Sequence, residues 1–185
     1  MIDDILLEAD EKMDKAIAVA REDFATIRTG RANAAMFNKI VVDYYGALTP
    51  LNQLASFQVS EARMIVVSPY DKSSVTAVEK AIRDSDLGVN PTSDGNVVRV
   101  TLPALTEDRR KEYIKMARHK AEDARISIRS IRRSAREQLE ALGRDGEIGK
   151  DDVKRAEHQL DEITHAHVGH VDEILKLKEA ELIEV

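Results

Sequence analysis

The sequence predicts an α+β protein in which a long antiparallel three-helix bundle carries a small inserted β/α/β domain. Apolar residues recur at helical spacing in three long segments, one before and two after a region of short β-branched runs. A long helix with one apolar face needs similar partners to cover it, so the three segments are expected to pack together. The bundle is assigned to 1–30 and 105–185, and the inserted domain to 31–104.

The first segment has the period of an amphipathic helix, which is expected to end near Gly30. Its apolar residues follow at spacings of four and three: Met13, Ile17, Ala20, Phe24 and Ile27. The inserted region instead favours strands at 40–42, 64–67 and 97–102, with turns at Asn90-Pro91 and Asp94-Gly95. Helical spacing of apolar residues between 74 and 85 adds one short helix packed on a small sheet.

The two C-terminal segments are predicted to be helices of roughly 50 Å each. Thr106 is a suitable N-cap for the first of them, which runs to about Leu142. Glycines at 143, 146 and 149 indicate a turn, and Asp151 or Asp152 can cap the next helix. A near-heptad apolar stripe then continues almost to the C-terminus: Val153, Ala156, Leu160, Ile163, His167, Val171 and Ile174.

Two chain crossings join the bundle to the inserted domain and are expected to act as a hinge. They comprise Thr29, Gly30 and Arg31, and then Pro103, Ala104, Leu105 and Thr106. Two short crossings with a glycine in one of them permit rotation. Gly30 fits an ordinary helix C-cap equally well.

Composition excludes several kinds of function. The 185 residues contain no cysteine, which removes disulfides and thiolate metal sites. Seven aromatic residues are too few for a base-stacking platform. No run is long and apolar enough to span a membrane, and the start, Met1-Ile2-Asp3-Asp4, lacks a basic targeting region, so a cytoplasmic protein is expected.

The net charge of −6 conceals one strongly basic segment. Residues 109–136 contain eleven Lys and Arg but three Asp and Glu, a local charge of +8. On a helical wheel six cations fall within roughly 60° of one another, and they are Lys111, Arg118, Arg125, Arg129, Arg132 and Arg136. The apolar residues of this helix lie on a separate face: Tyr113, Ala117, Ala121, Ala124, Ile128, Ile131, Ala135, Leu139 and Leu142.

This cationic face, the arginine stripe, has two interpretations. A solvated face neutralised by ion pairs is one, and acidic neighbouring helices could supply some partners. The acids within the segment are too few to neutralise it, and arginine suits phosphate because its planar guanidinium can bond two oxygens at once. The sequence therefore favours a polyanionic partner. The protein would recognise the backbone and shape of RNA or DNA rather than its base sequence.

Other candidate sites are weaker. His165, His167 and His170 lack a metal-ligand pattern, so no metal is predicted, and no cofactor is expected. No GxxxxGK[ST] loop is present, so any nucleotide hydrolysis must come from a partner. Polar residues near the strand ends are interpreted as turn and sheet residues: Asp43, Tyr44, Tyr45, Ser68, Tyr70 and Asp71.

The ordered motifs across nearly the whole chain resemble those of bacterial ribosome recycling factors. They are Arg28-Thr29-Gly30-Arg31-Ala32, Val42-Asp43-Tyr44-Tyr45-Gly46, Thr49-Pro50-Leu51, Gln53-Leu54-Ala55-Ser56, Ser85-Asp86-Leu87-Gly88-Val89-Asn90-Pro91, Leu105-Thr106-Glu107-Asp108-Arg109-Arg110 and Ile131-Arg132-Arg133. The resemblance implies an L-shaped, tRNA-like molecule without enzymatic activity. It would be a monomer that contacts no membrane and, with elongation factor G and GTP, splits the post-termination ribosome into subunits.

The resemblance also implies the site residues. Arg132 would be the central contact to large-subunit ribosomal RNA, with Arg110, Arg129 and Arg133 beside it; Arg109 belongs to the same motif as Arg110, and Arg28 and Arg31 lie near the hinge. Two departures from the family pattern are Ser130, where Asn is frequent, and Ala34-Ala35, which replaces a proline-containing start to the inserted domain.

Two alternatives belong to other functional classes. An enzyme acting on RNA or a nucleotide would use a carboxylate of the inserted domain, such as Asp43 or Asp71. A passive helical scaffold would bind acidic proteins, and its binding would not respond to ribonuclease. The missing catalytic spacing disfavours the enzyme.

Overall fold

A computed structural model describes residues 1–184 and combines long helices with a small sheet region. The helices are α1 (Ile2–Ala25), α2 (Leu51–Leu54), α3 (Val75–Arg83), α4 (Glu107–Arg144) and α5 (Lys150–Ile183). The strands are β1 (Val41–Tyr44), β2 (Ala47–Pro50), β3 (Ala55–Glu61), β4 (Met64–Pro69), β5 (Asn90–Asp94) and β6 (Val97–Thr101). Short 3₁₀ turns occupy Ala34–Phe37 and Lys72–Ser74. The predicted combination of three long helices and an inserted mixed domain is confirmed.

The chain divides into two compact units, of which the first is helical. It contains Met1–Phe24 and Lys115–Glu179. Two ion pairs link α4 to α5: Arg118 with Glu179 and Arg136 with Glu157. In each pair the two residues lie at similar distances along the chain from the turn between the helices, so the helices are antiparallel. Every predicted apolar residue of α1 from Met13 to Phe24 is buried, as are Ile128 and Leu139 of α4.

The second unit contains Ala25–Ile114 and the residues from Ala180 onward. Its main sheet is antiparallel with strand order β3, β4, β6, β5, and β1 pairs with β2 in a separate hairpin. Helix α3 presents Val78 and Ile82, both fully buried, to a core that also holds Phe37 and Leu51. The domain boundaries 1–30, 31–104 and 105–185 stay a prediction.

Several local predictions need correction. Helix α1 ends at Ala25 rather than near Gly30, and Gly30 lies beyond the helix without a positive φ, so the C-cap interpretation is wrong. The Asn90-Pro91 pair lies within β5 and not in a turn. Gly149, not an aspartate, precedes α5, and Asp151 with Asp152 lies in its first turn, where negative charge still favours the helix dipole.

Thr106 caps α4 as predicted. Its Oγ1 accepts a hydrogen bond from the Arg109 backbone N–H at 3.2 Å, which satisfies one of the N-terminal donors of the helix. Among residues 1–184, no helix is long and apolar enough to cross a membrane.

Two helical glycines are expected to respond oppositely to alanine. A Cβ at Gly143 would lie 2.8 Å from Val153 Cγ2, so Gly143→Ala must displace the Val153 side chain and disturb its packing. A Cβ at Gly169 would meet nothing within 4 Å, so Gly169→Ala is expected to stabilise the protein by about 0.5–1 kcal/mol through helix propensity. In urea unfolding, the free energy of unfolding should be higher for Gly169→Ala than for the native protein and lower for Gly143→Ala. The reverse order would contradict the packing described.

Candidate nucleic-acid interface

Helix α4 positions the arginine stripe along one face, and most of its members meet carboxylates of α5. Arg118 Nε lies 2.7 Å from Glu179 Oε1, and Arg132 Nε lies 2.7 Å from Asp161 Oδ1. The acidic neighbouring helix that the sequence allowed for is therefore α5. These partners could have been located by folding α5 back antiparallel about the turn that follows Arg144.

Arg125 differs from the other members because all three nitrogens of its guanidinium are engaged. Nε and Nη2 both donate to Asp172 Oδ1, at 2.9 and 2.5 Å, and Nη1 donates to Glu122 Oε2 at 3.1 Å. Burial lowers the pKa of Arg125, but the hydrogen bonds to Asp172 and Glu122 outweigh it and leave the pKa raised. The side chain is 19% exposed. Arg125 therefore joins helices and has little capacity for an external phosphate.

Arg136 and Arg129 are more exposed. Arg136 Nε lies 3.1 Å from Glu140 Oε1 and 3.4 Å from Glu157 Oε1, and its pKa is raised by the hydrogen bond to Glu140 and then by the charge of Glu157. Arg129 Nη1 donates to Glu122 Oε1 at 3.3 Å. Exposed pairs of this kind are weak, so they leave the cations available to a stronger acceptor.

Arg133 stands apart from these pairs. It is exposed on α4 next to Arg132, and within residues 1–184 it has no ion pair. Arg129, Arg132 and Arg133 are spaced by three and four residues and therefore share one helix face. This cluster, the Arg129–Arg133 face, offers donors to a polyanion.

The first turns of α4 carry the remaining predicted cations. Arg109 Nη1 lies 3.8 Å from Glu112 Oε2, and Lys111 Nζ lies 3.2 Å from Glu107 Oε1. Arg110 makes no ion pair in the described part of the chain and lines a cavity of about 750 Å³.

Arg28 is 5% exposed and is directed at backbone carbonyls. Nη2 donates to the Pro103 carbonyl and Nη1 to that of Leu87 at 3.4 Å, while Nε finds no partner among residues 1–184. Burial lowers the pKa of this guanidinium, with Tyr113 acting to raise it and Arg109 to lower it. Arg28 thus ties the segment after α1 to the crossing before α4, within the second unit.

The predicted hinge segments border the same cavity as Arg110. Its lining includes Thr29, Gly30, Arg31, Ala104 and Leu105. Arg31 Nη2 lies 3.5 Å from Glu184 Oε1, and both side chains are more than half exposed.

His167 lies against two carboxylates of α1. Nδ1 faces the Ile163 carbonyl at 2.7 Å, and Nε2 lies 2.9 Å from Asp14 Oδ1 and 3.3 Å from Asp10 Oδ1. One atom from each of these three side chains falls within 4.8 Å of the others. Both ring nitrogens face oxygen atoms, and the contacts to Asp14 and Asp10 link α5 to α1. The sequence pattern singled out His167 but not its acidic partners on α1.

The carboxylates suggested for an enzyme are engaged in turns. The Asp71 carboxylate accepts hydrogen bonds from the Ser73 hydroxyl, the Ser73 backbone N–H and the hydroxyls of Tyr44 and Tyr45. The bonds from Ser73, and after them the bond from Tyr44, lower the pKa of Asp71 to about 2. Asp43 Oδ1 accepts from the Gly46 N–H at 2.9 Å. A carboxylate held this strongly in its ionised form is a poor general base.

Asp71 makes a testable contribution to acid stability. Its pKa of about 2 lies below the ordinary range of an aspartate, so its stabilising effect is present above about pH 4 and is lost as the pH falls through 2. Asp71→Asn should lower the melting temperature at pH 6, and the difference from native should shrink towards pH 2. The carboxyl carbon chemical shift in an NMR titration should show the same midpoint. A difference independent of pH would contradict these hydrogen bonds.

Comparison with known proteins identifies the family. A model described as ribosome recycling factor matches residues 20–183. The ribosome-recycling factors of Acidothermus cellulolyticus and Streptomyces avermitilis are 68% and 64% identical over the full length of both chains. A solution structure of the ribosome recycling factor is similar with a TM-score of 0.76 and 39% identity, covering 100% of this chain and 98% of that one.

A second solved structure adds a biological setting for a relative. It represents the T. thermophilus ribosome recycling factor and the E. coli elongation factor G bound to the E. coli post-termination complex. The recycling-factor chain matches with a TM-score of 0.69 and 38% identity, and each chain is covered completely. The resemblance drawn from the sequence motifs is thereby confirmed, and the chain belongs to the ribosome recycling factor family.

Proposed function

We propose that this chain is a non-catalytic factor that binds the post-termination ribosome and, with elongation factor G and GTP hydrolysis by that partner, splits it into subunits. Family membership and the relative described with elongation factor G on the post-termination complex support this assignment. The observation that carries it in this chain is the exposed Arg129–Arg133 face of α4, whose donors are aligned for a polyanion.

The face is proposed to bind phosphates of large-subunit ribosomal RNA. Arg132 is the central contact and is 38% exposed, while Arg133 is exposed and Arg129 is 54% exposed. Each guanidinium can bond two phosphate oxygens, and a phosphate contact needs no base-reading motif. Arg118 and Arg136 flank the face, are themselves more than half exposed, and can exchange their carboxylate partners for phosphate in the same way.

The other predicted cations take different roles in this proposal. Arg109, Arg110 and Lys111 offer a second basic group at the start of α4. Arg28 and Arg125 are structural, because carbonyls and carboxylates respectively occupy their donors. Arg31 is exposed beside the crossing and retains a weak pair with Glu184.

The work of splitting is assigned to the partner because the sequence contains no phosphate-binding GxxxxGK[ST] loop. We place the moving joint at 29–31 and 103–106, between a bundle of 1–30 and 105–185 and an inserted domain of 31–104. A few residues suffice to absorb such a rotation, and the cavity bordered by both crossings leaves room for it.

Salt dependence of binding to the large ribosomal subunit tests the RNA contact. Three arginines on phosphates predict that the logarithm of the affinity falls against the logarithm of the salt concentration with a slope of about −2 to −3. Co-sedimentation across a potassium chloride series measures it. A slope near zero, with binding that survives ribonuclease, would support the protein-binding scaffold instead, and turnover of RNA by the isolated chain would support an enzyme.

A further inference from the structure

Arg132, the central residue of the proposed RNA contact, is held by a carboxylate of its own chain. Its Nε donates to Asp161 Oδ1 at 2.7 Å, and the two side chains are 38% and 54% exposed. Among the described residues the guanidinium donates no other hydrogen bond. Its two Nη groups therefore stay available while Asp161 occupies Nε.

The neighbouring Arg125 shows that this open arrangement is not general along α4. There, Asp172 and Glu122 engage all three guanidinium nitrogens, and the side chain is 19% exposed. A phosphate that approached Arg125 would meet a poorly exposed guanidinium already bonded at all three nitrogens. At Arg132 a phosphate meets only the ion pair with Asp161, which is exposed, and exposed ion pairs are weak.

We propose that Asp161 is an internal counter-ion that competes with RNA phosphate for Arg132 and so limits the affinity of the factor for the ribosome. This inference rests on the proposed function. Carboxylate and phosphate are acceptors for the same donors, so a phosphate must either displace Asp161 or lie beside its negative charge. Either event makes binding of the phosphate weaker. A factor that must leave the large subunit after every round benefits from such a limit.

Neutralising the counter-ion is expected to tighten binding. Asp161→Asn should lower the dissociation constant for isolated large ribosomal subunits roughly 3- to 10-fold, because it removes a competing exposed ion pair and one repulsive charge. Fluorescence anisotropy of the labelled factor at one fixed salt concentration measures the constant. Circular dichroism checks that the helices are retained.

Glu162→Gln supplies a matched control. It removes the same charge from the next residue of α5, but Glu162 Oε1 faces His158 Nε2 at 3.3 Å instead of an arginine of α4. Its effect should stay within about twofold, since exposed charges at a distance are screened by salt. If both variants bind the large subunit equally more tightly than native, the change in net charge explains the effect and the proposal is overturned.

A double-mutant cycle separates this proposal from the proposed function. Arg132→Gln should weaken binding, and adding Asp161→Asn to it should give less than a twofold gain because the competition needs both partners. If Arg132→Gln weakens binding but Asp161→Asn also weakens it, Asp161 positions the arginine and the counter-ion proposal fails while the RNA contact stands. If Arg132→Gln binds like native, both fail.

Discussion

Arg132→Glu is expected to weaken binding to the large ribosomal subunit by about 30- to 100-fold without unfolding the bundle. A charge-assisted bond to phosphate contributes about 2–3 kcal/mol, and the introduced carboxylate adds repulsion. The fold should tolerate the change because the native pair with Asp161 is exposed. Loss of such a pair costs less than about 1 kcal/mol.

The comparison variant is Arg155→Glu, which reverses an arginine of α5 that is 76% exposed and lies outside the proposed RNA contact. Co-sedimentation with large subunits and thermal melting by circular dichroism should be run on both variants. We expect similar melting curves for the two variants and a loss of binding for Arg132→Glu only. Equal losses in the two variants would show that net charge, not this contact, controls affinity.

Phe37→Ala is expected to lower the free energy of unfolding of the second unit by about 3–5 kcal/mol. Phe37 is 0% exposed, and its ring stacks on Phe57 with centroids 5.5 Å apart. Removing it leaves a cavity in a small core whose other buried side chains are all aliphatic, and the surrounding structure relaxes only partly to fill such a cavity.

Urea unfolding followed by tyrosine fluorescence measures this loss. Leu48→Ala provides the control, because Leu48 is 76% exposed on the β1–β2 hairpin and should change stability by less than about 0.5 kcal/mol. A Phe37→Ala variant as stable as Leu48→Ala would mean that the core of the inserted region is not organised around this ring.

The long helices could be predicted from sequence because their signals are local and repeated. The apolar period and the Thr106 cap placed α4 within one or two residues of its observed bounds, Glu107–Arg144. The end of α1 was placed too late because Ile27 continues the apolar period, and it is indeed buried, although the helix has already ended at Ala25. At Ile27 the apolar period therefore indicates that the side chain is buried, but it does not indicate helical hydrogen bonding of the backbone.

The edge strands lacked a local signal. Strand β5, Asn90–Asp94, is polar, contains a proline and is mostly exposed, yet pairing with β6 makes it a strand. Proline is tolerated there because an edge strand has one unpaired side. Strand β3 is similarly exposed and pairs with β4 alone. Such strands depend on a neighbour distant in sequence, which a window of residues does not contain.

The candidate site was predictable in its residue types but not in its contacts. The arginine stripe lies on one face of α4, but the sequence count compared its cations with acids of the same helix, whereas Asp161 and Asp172 belong to α5. For this reason Arg125 and Arg132 looked equivalent in sequence. Their difference in exposure and hydrogen bonding comes from helix packing alone.

Light scattering from post-termination ribosomes tests the central claim most directly. Mixing them with this chain, elongation factor G and GTP should give a rapid fall in scattering as subunits separate, and omission of any one component should abolish the fall. The Arg132→Glu variant, verified as folded, should reduce the rate at limiting factor concentration. Full splitting without this chain, or none with all components from a matched source, would contradict the assignment of this chain to ribosome recycling.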